Sequence, residues 1–341
     1  MKQFLCLLLL ALTAATTGNA QTNRTDDLLN KGIALYDDGN YKAALAQYLQ
    51  ALKSDRRNPT VNYELSLTYF ALNDLPNTIH HSDAVIKSLN ASPEIKAQAH
   101  VNKGSALDIT GHPDQALKEY RKAAKLYPEY QMAYYNMGLT LYNQQKYSEA
   151  EQALVKAVQL KPGHSSSHLL LGYTKQAQHQ RVQSVLALYN FLLLEPSTER
   201  AAVAHKTLLR MQQEGVSKGD GNAVNIMVSS DKIVDNPFSA AELMLSMMQA
   251  SNTVEAKDGK TSEQLFYENT TSFFNILGEL KEDQQDFWWR YYVEFFHEMT
   301  LDKNVEAFSY YIGQSDASKA WVKEHPDQVE QLTHWYQNYK R

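Results

Sequence analysis

The sequence predicts an all-α protein: a solenoid of helical hairpins followed by a smaller α-helical domain. Three observations carry that reading. Gly104, Gly138 and Gly172 are 34 residues apart, and so are Pro128, Pro162 and Pro196. Between each Gly and the next Pro the same order recurs: a small residue (Ala116, Ala150, Ser184), a bulky one (Tyr120, Leu154, Leu188), then Ala123, Ala157 and Phe191. Beyond residue 238 the apolar residues again fall in helix-length runs.

Each recurring residue has a physical job. Gly in a helix interior costs about 1 kcal/mol relative to Ala, so a repeated Gly marks a surface too close to its neighbour for a side chain. The small residues at 116, 150 and 184 do the same for the second helix. The prolines end each unit, because Pro cannot continue a helix. One such hairpin cannot bury its apolar face alone and makes sense only in a stack.

Five units follow, at 25–58, 59–92, 97–130, 131–164 and 165–198. The first keeps Leu28, Gly32, Leu35, Gly39, Tyr41, Ala44, Tyr48 and Ala51. The second is degenerate: Ser66 replaces Gly, and Thr78, Ser82 and Val85 replace the small and bulky anchors. Ser66 to Gly104 is 38 residues rather than 34, so four residues are inserted near Asn90–Ile95, read as a longer turn. The fifth unit drifts furthest, with Lys175 and Arg181 where the others are apolar. Residues 199–214 read as a capping helix, 215–237 as a linker, and 238–341 as the helical, aromatic-rich C-terminal domain. Within the linker, Gly219–Asn222 is turn material and Val224–Val228 is read as a short extended segment.

A step of 34 with these residue types resembles the tetratricopeptide repeat. The match is fullest in Gln131–His164, where Tyr134, Met137, Gly138, Leu141, Tyr147, Ala150, Leu154, Ala157 and Pro162 fall on the motif. Together with Phe191–Pro196 and Trp289–Val293, the repeats are similar to those of exported Bacteroidetes repeat proteins, a resemblance that implies no activity. It does imply a concave groove lined by the first helices. Its exposed positions correspond to Tyr36, Tyr63, Leu67, Phe70, Met132, Tyr135, Leu139, Tyr142, Asn143, Leu169 and Tyr173. These are aromatic and aliphatic, not the Lys/Asn set that clamps a peptide's terminal carboxylate. An apolar strip this long is expected to be covered, by a protein or peptide partner or by the chain's own C-terminal domain.

The totals narrow the classes. The 341 residues carry a formal charge of −5, with 43% hydrophobic and 21% charged residues, which argues against a nucleic-acid binder. Lys2, the apolar run Phe4–Leu12 and the small residues Gly18-Asn19-Ala20 read as a secretory signal cleaved near Ala20; an uncleaved anchor is the alternative. The expected location is periplasmic or secreted. The single Cys, Cys6, leaves with the signal, so disulfides and thiolate chemistry are not expected. No later apolar run is long enough for a membrane span.

In the C-terminal domain, Ser239-Ala-Ala-Glu242 fits a capping box. Helices are expected from Thr261 to Leu280, Asp283 to Met299, Val305 to Ile312, Ala317 to Lys323 and Gln328 to Tyr339. The run Phe287–Phe296 reads as a core helix docked on the repeats, with an aromatic ligand platform as the alternative. Gly259-Lys260-Thr261 lacks the second Gly of a phosphate loop and reads as a helix start. His80, His81 and Asp83 read as solvated surface residues, and no metal or cofactor is expected. The functional expectation is a non-catalytic scaffold or adaptor in the cell envelope, binding a protein partner through the groove. The rival is an enzyme or glycan-binding activity in 239–341, with His297, Asp302 and His334 as first suspects.

Overall fold

The computed structural model describes residues 24–218, 224–226, 237–255, 259–281 and 284–340. The signal segment 1–20 and the Gly219–Asn222 turn lie outside them. The fold is an all-α repeat solenoid with a helical tail, and it forms two compact units that meet in sequence between Lys146 and Tyr147.

The first unit holds α1 (24–37), α2 (Tyr41–Ser54), α3 (Pro59–Ala71), α4 (Leu75–Lys87), α5 (Pro93–Ile109), α6 (Pro113–Leu126) and α7 (Gln131–Asn143). From α2 onward each helix packs on its sequence neighbour, and the first helices α3, α5 and α7 also touch one another. The starts follow capping chemistry. Asn58 accepts from the Thr60 and Val61 amides ahead of α3, and Asp74 from Asn77 ahead of α4. Gly104 shows why the small positions recur: a Cβ there would lie 2.5 Å from the ring of Tyr120, which is itself 1% exposed. The four inserted residues go into helix rather than into a longer turn: residues 88–92 make a five-residue connection, against four before α3 and α7. The insertion gives α5 an extra helical turn, 17 residues against 13 in α3 and α7, because Ser92 caps the Ile95 amide and Pro93 occupies the first turn.

The second unit begins with α8 (Tyr147–Leu160), α9 (Ser165–Ala177), α10 (Arg181–Leu194) and α11 (Glu199–Gln213). Every residue of α10 from Arg181 to Leu193 is buried. From Val185 onward nearly every residue of α10 is apolar, and such a helix is covered on all sides. α9 and α11 cover part of α10. Further cover comes from α12 (Ser239–Glu255), from a π-helix, Trp288–Val293, and from rings packed on Tyr189 such as Phe274 and Phe308. Strands β1 (Val216–Lys218) and β2 (Val224–Ile226) pair antiparallel, so the extended segment expected at 224–228 is a strand over its first three residues. Then come α13 (Ser262–Leu280), α14 (Glu294–Leu301), α15 (Val305–Tyr311), α16 (Asp316–Glu324) and α17 (Pro326–Asn338).

Two local readings are corrected. The capping box lies at Thr261 and Gln264, ahead of α13. Glu242, read as part of a capping box with Ser239, is buried, and its carboxylate accepts from Arg181 and from the Val182 amide. The helix expected at 283–299 opens with π-helical turns, where Asp286 accepts from the Trp288 and Trp289 amides. The aromatic run is core: Trp289, Tyr292, Phe295 and Phe296 are fully buried, with Phe274 stacked on Phe296 at 4.5 Å.

Candidate functional site

The groove positions fall on first helices as expected from the repeat. Tyr36 is on α1; Tyr63, Leu67 and Phe70 are on α3; Met132, Tyr135, Leu139, Tyr142 and Asn143 are on α7. These nine belong to the first unit, while Leu169 and Tyr173, on α9, belong to the second. Asn143 is exposed and the other ten are half-buried. Tyr36 packs against the buried cluster of Leu28, Tyr48 and Leu65, and Tyr63 against Val85, Ala91 and Ala99. These two tyrosines therefore give part of their surface to the core.

Burial keeps the phenols at this end uncharged. Burial raises the Tyr63 hydroxyl above its ordinary pKa, reinforced by Tyr130 and Glu64; Tyr36 is raised by burial and by Tyr41. Burial also raises the Glu64 carboxyl, against a hydrogen bond donated by the Tyr48 hydroxyl at 3.4 Å. The phenols remain protonated near neutral pH, as hydrogen-bonding groups without charge.

Between α3 and α7, α5 contributes polar groups. Asn102 donates to Ser66 Oγ at 2.9 Å, Asn136 to Ser105 Oγ at 3.4 Å, and Thr140 to Asp108 at 2.8 Å. The inner layer is thus tyrosine and aliphatic on α3 and α7, with a hydroxyl–amide ladder across α5. The sequence carried a signal for the ladder: Asn102 and Asn136 stand one repeat apart.

Of the residues read as solvated in the second hairpin, His80 is exposed, but His81 is a core histidine, because its ring has a buried amide to bond. His81 is buried, and its Nδ1 lies 2.9 Å from Asn62 Oδ1. Asn62 Nδ2 donates to the Asn58 carbonyl, so Oδ1 faces the ring and Nδ1 carries the proton. Burial lowers the imidazole to about 4. Asp83 pairs with Lys103 at 2.8 Å.

In the second unit, the charges that broke the repeat pattern anchor the tail. Arg181 donates to the Glu242 carboxylate at 2.8 Å, to the Glu242 carbonyl, to Ser246 Oγ at 2.9 Å and to the Glu214 carbonyl at 2.6 Å. Lys175 meets Glu151 at 2.6 Å and lies over the Trp288 ring, whose indole N–H donates to the same carboxylate. His168 Nε2 sits 2.8 Å from the Pro162 carbonyl, which can only accept. In the neutral ring Nδ1 therefore accepts the Tyr292 hydroxyl at 2.6 Å. The Tyr189 hydroxyl meets Thr270 of α13 at 3.0 Å.

The three suspects of the rival reading are partly brought together. Asp302 and His334 line one cleft of about 1070 Å³ with Trp335 and Tyr339. There Asp302 accepts the Trp335 indole N–H at 2.6 Å and His334 is paired with Asn338. His297 is not among the lining residues; it packs on Gly278, where a Cβ would lie 2.1 Å from its Nδ1. Among the described residues none of the three hydrogen-bonds another, so the geometry assembles no nucleophile, base and orienting group.

Comparison with known proteins defines the class. The tetratricopeptide-repeat family model matches residues 97–165, and a second TPR-repeat model matches residues 32–73. The chain carries tetratricopeptide repeats, and such proteins generally serve as protein–protein interaction scaffolds. Over 133 residues, 38% of the chain, it is 26% identical to human tetratricopeptide repeat protein 6, covering 24% of that protein. Over 74 residues, 21% of the chain, it is 31% identical to mouse intraflagellar transport protein 70A1, covering 11%. The chain thus spans less than a quarter of the length of these curated relatives. Among solved structures it is similar to Pseudomonas aeruginosa pilF, at 17% identity and a TM-score of 0.48, covering 57% of this chain and 90% of that one. It is also similar to YrrB, a TPR protein described as having an unusual peptide-binding site, at 20% identity and a TM-score of 0.42, covering 57% of this chain and 98% of that one. Among the described residues, no helix is long and apolar enough to cross a membrane.

Proposed function

We propose that this protein is a non-catalytic scaffold or adaptor of the cell envelope, exported and released near Ala20, that holds a protein or peptide segment on the tyrosine-rich face of its first helices. The observation that carries the reading is that face itself. In the first unit α3 and α7 present Leu67, Phe70, Met132, Tyr135, Leu139 and Tyr142, none fully buried, beside the polar ladder of α5. Half-covered aromatics with hydroxyls suit a partner segment: ring area supplies apolar burial, and the hydroxyls with Asn143 set orientation. Part of this chemistry is internal, because Tyr36 and Tyr63 also brace the core. Tyr135 and Tyr142 are therefore the better probes.

The test is capture of envelope partners by the tagged, exported chain, compared with Y135A/Y142A. Aromatic anchors at an interface are worth about 2 kcal/mol each when they are hot spots, so the double variant should lose captured partner by tens-fold or more. Unchanged capture with an unchanged melting temperature would remove the groove from the account. Cell fractionation tests the location: a processed chain beginning at Gln21 in the periplasm or medium is expected, and an unprocessed cytoplasmic chain would contradict it.

A further inference from the structure

A small pocket in the second unit is bounded by α11, α13, α15 and the loop entering α16, and no part of the scaffold reading uses it. Its volume is about 190 Å³, below the range of drug-sized sites and suited to a single small ring. Two buried polar atoms of residues lining it have no partner among the described residues: His205 Nε2 and Ser309 Oγ, Ser309 being 2% exposed. A buried polar group left unsatisfied is costly, and a folded chain seldom keeps two in one cavity unless something else meets them. Phe266 and Leu209 form the apolar part of the wall, and the Phe266 ring lies 5.6 Å from that of His205.

The charge balance says what kind of molecule fits. Glu263 is the one carboxylate among the described lining residues, and no Lys or Arg lines the pocket. Its carboxyl is already satisfied by Ser315 Oγ at 2.7 Å and Ser262 Oγ at 3.1 Å, and these bonds, Ser315 foremost, hold its pKa below the usual carboxylate range. The helix N-termini of α13 and α16 are answered by Thr261 with Gln264 and by Ser315. An anion would meet Glu263 with no cation to receive it, and a cation would find its only carboxylate occupied by hydroxyls. An imidazole nitrogen and a hydroxyl, each able to donate or accept according to tautomer and rotamer, match groups that can do both. An aromatic face beside them matches the C–H face of a ring.

We propose that this pocket binds one small neutral polyhydroxylated ring, of pyranose size, with its hydroxyls on His205 and Ser309 and its apolar face on Phe266. The experiment is saturation-transfer NMR on the purified whole protein, with D-glucose, D-galactose, N-acetyl-D-glucosamine and myo-inositol, and with ethanolamine and acetate as charged probes. At least one neutral ring should receive saturation, with a dissociation constant on the order of millimolar. The His205 imidazole signals should shift on its addition. S309A and H205F should each weaken binding by about fivefold or more. Both variants remove an unpartnered polar atom, so their melting temperatures should hold or rise, and lost binding is then not lost folding. The proposal is overturned if no neutral ring binds the wild type, if only ethanolamine or acetate does, if the His205 signals stay still, or if both variants bind as well as the parent.

Discussion

Arg181 and Lys175 occupy positions where a repeat hairpin wants apolar side chains, and both are almost wholly covered, at 5% and 3% exposure. Each is held by a carboxylate and by groups from the tail or the hairpin before it. Removing one partner of a buried pair strands the other charge, at about 3–5 kcal/mol. R181A should therefore lower unfolding stability by that amount in urea titrations. R181M/E242M, which leaves no buried charge unpaired but still loses the bonds to the Glu214 carbonyl, Ser246 and the Val182 amide, should recover part of it; a loss below about 1 kcal/mol for R181A would show that the pair is dispensable.

Protonation acts at the same scale. His81 and His205 are held down to about 4 by burial, so the folded chain binds fewer protons than the unfolded chain between about 6.5 and 4. Stability should fall as pH drops through that window. Burial pushes Glu119 up, but hydrogen bonds from His100 and Lys122 outweigh it and bring the carboxyl to about 2. Its contribution is complete above about 4.5 and is lost as pH falls towards 2. Urea midpoints measured from pH 7 to pH 3 should show a decline that H81Q flattens in the upper part and E119Q in the lower. Equal slopes in parent and variants would contradict these assignments.

At the scale of the element, close helix contact decides which residues recur. A methyl at Gly104 has no room beside the Tyr120 ring, so G104A should cost about 1–3 kcal/mol, and G104A/Y120L should cost less than the two single changes added. Thermal melts of the four chains give the coupling; strict additivity would mean that the two residues do not share the space.

The same periodicity made the helices legible. Prolines, small residues and the 34-residue step placed the hairpins from local residues alone, apart from the start of α5, which was read as turn. The places that were not legible have distant causes. Glu242 imitates a capping residue at short range, yet its carboxylate is taken by Arg181, 61 positions away. The π-helix sets Trp288, Trp289, Tyr291 and Tyr292 all in the interior, which a 3.6-residue period does not lead one to expect. The tyrosine positions of the candidate face were readable because they repeat. The pocket at His205 and Ser309 was not, because its walls come from four elements that share no spacing.

At the scale of the molecule, the tail is part of the last hairpins. α10 is buried on every side, and α12, α13 and the π-helix supply cover that α9 and α11 do not. The compact unit from Tyr147 onward accordingly contains both repeat helices and tail. The repeat-rich first unit, with its tyrosine face, has its own core around Tyr48 and Tyr120. The tail thus completes a core, and the face on α3 and α7 is the surface assigned to a partner.

Native-state hydrogen exchange on the chain cut after Gln213 tests that division of labour most directly. The account predicts that α9 and α10 lose most of their protection while α2 to α7 keep theirs, because only the former depend on the missing cover. Protection in α9 and α10 equal to that of the intact chain would mean that the hairpins stand without the tail, and the account would be wrong at its centre.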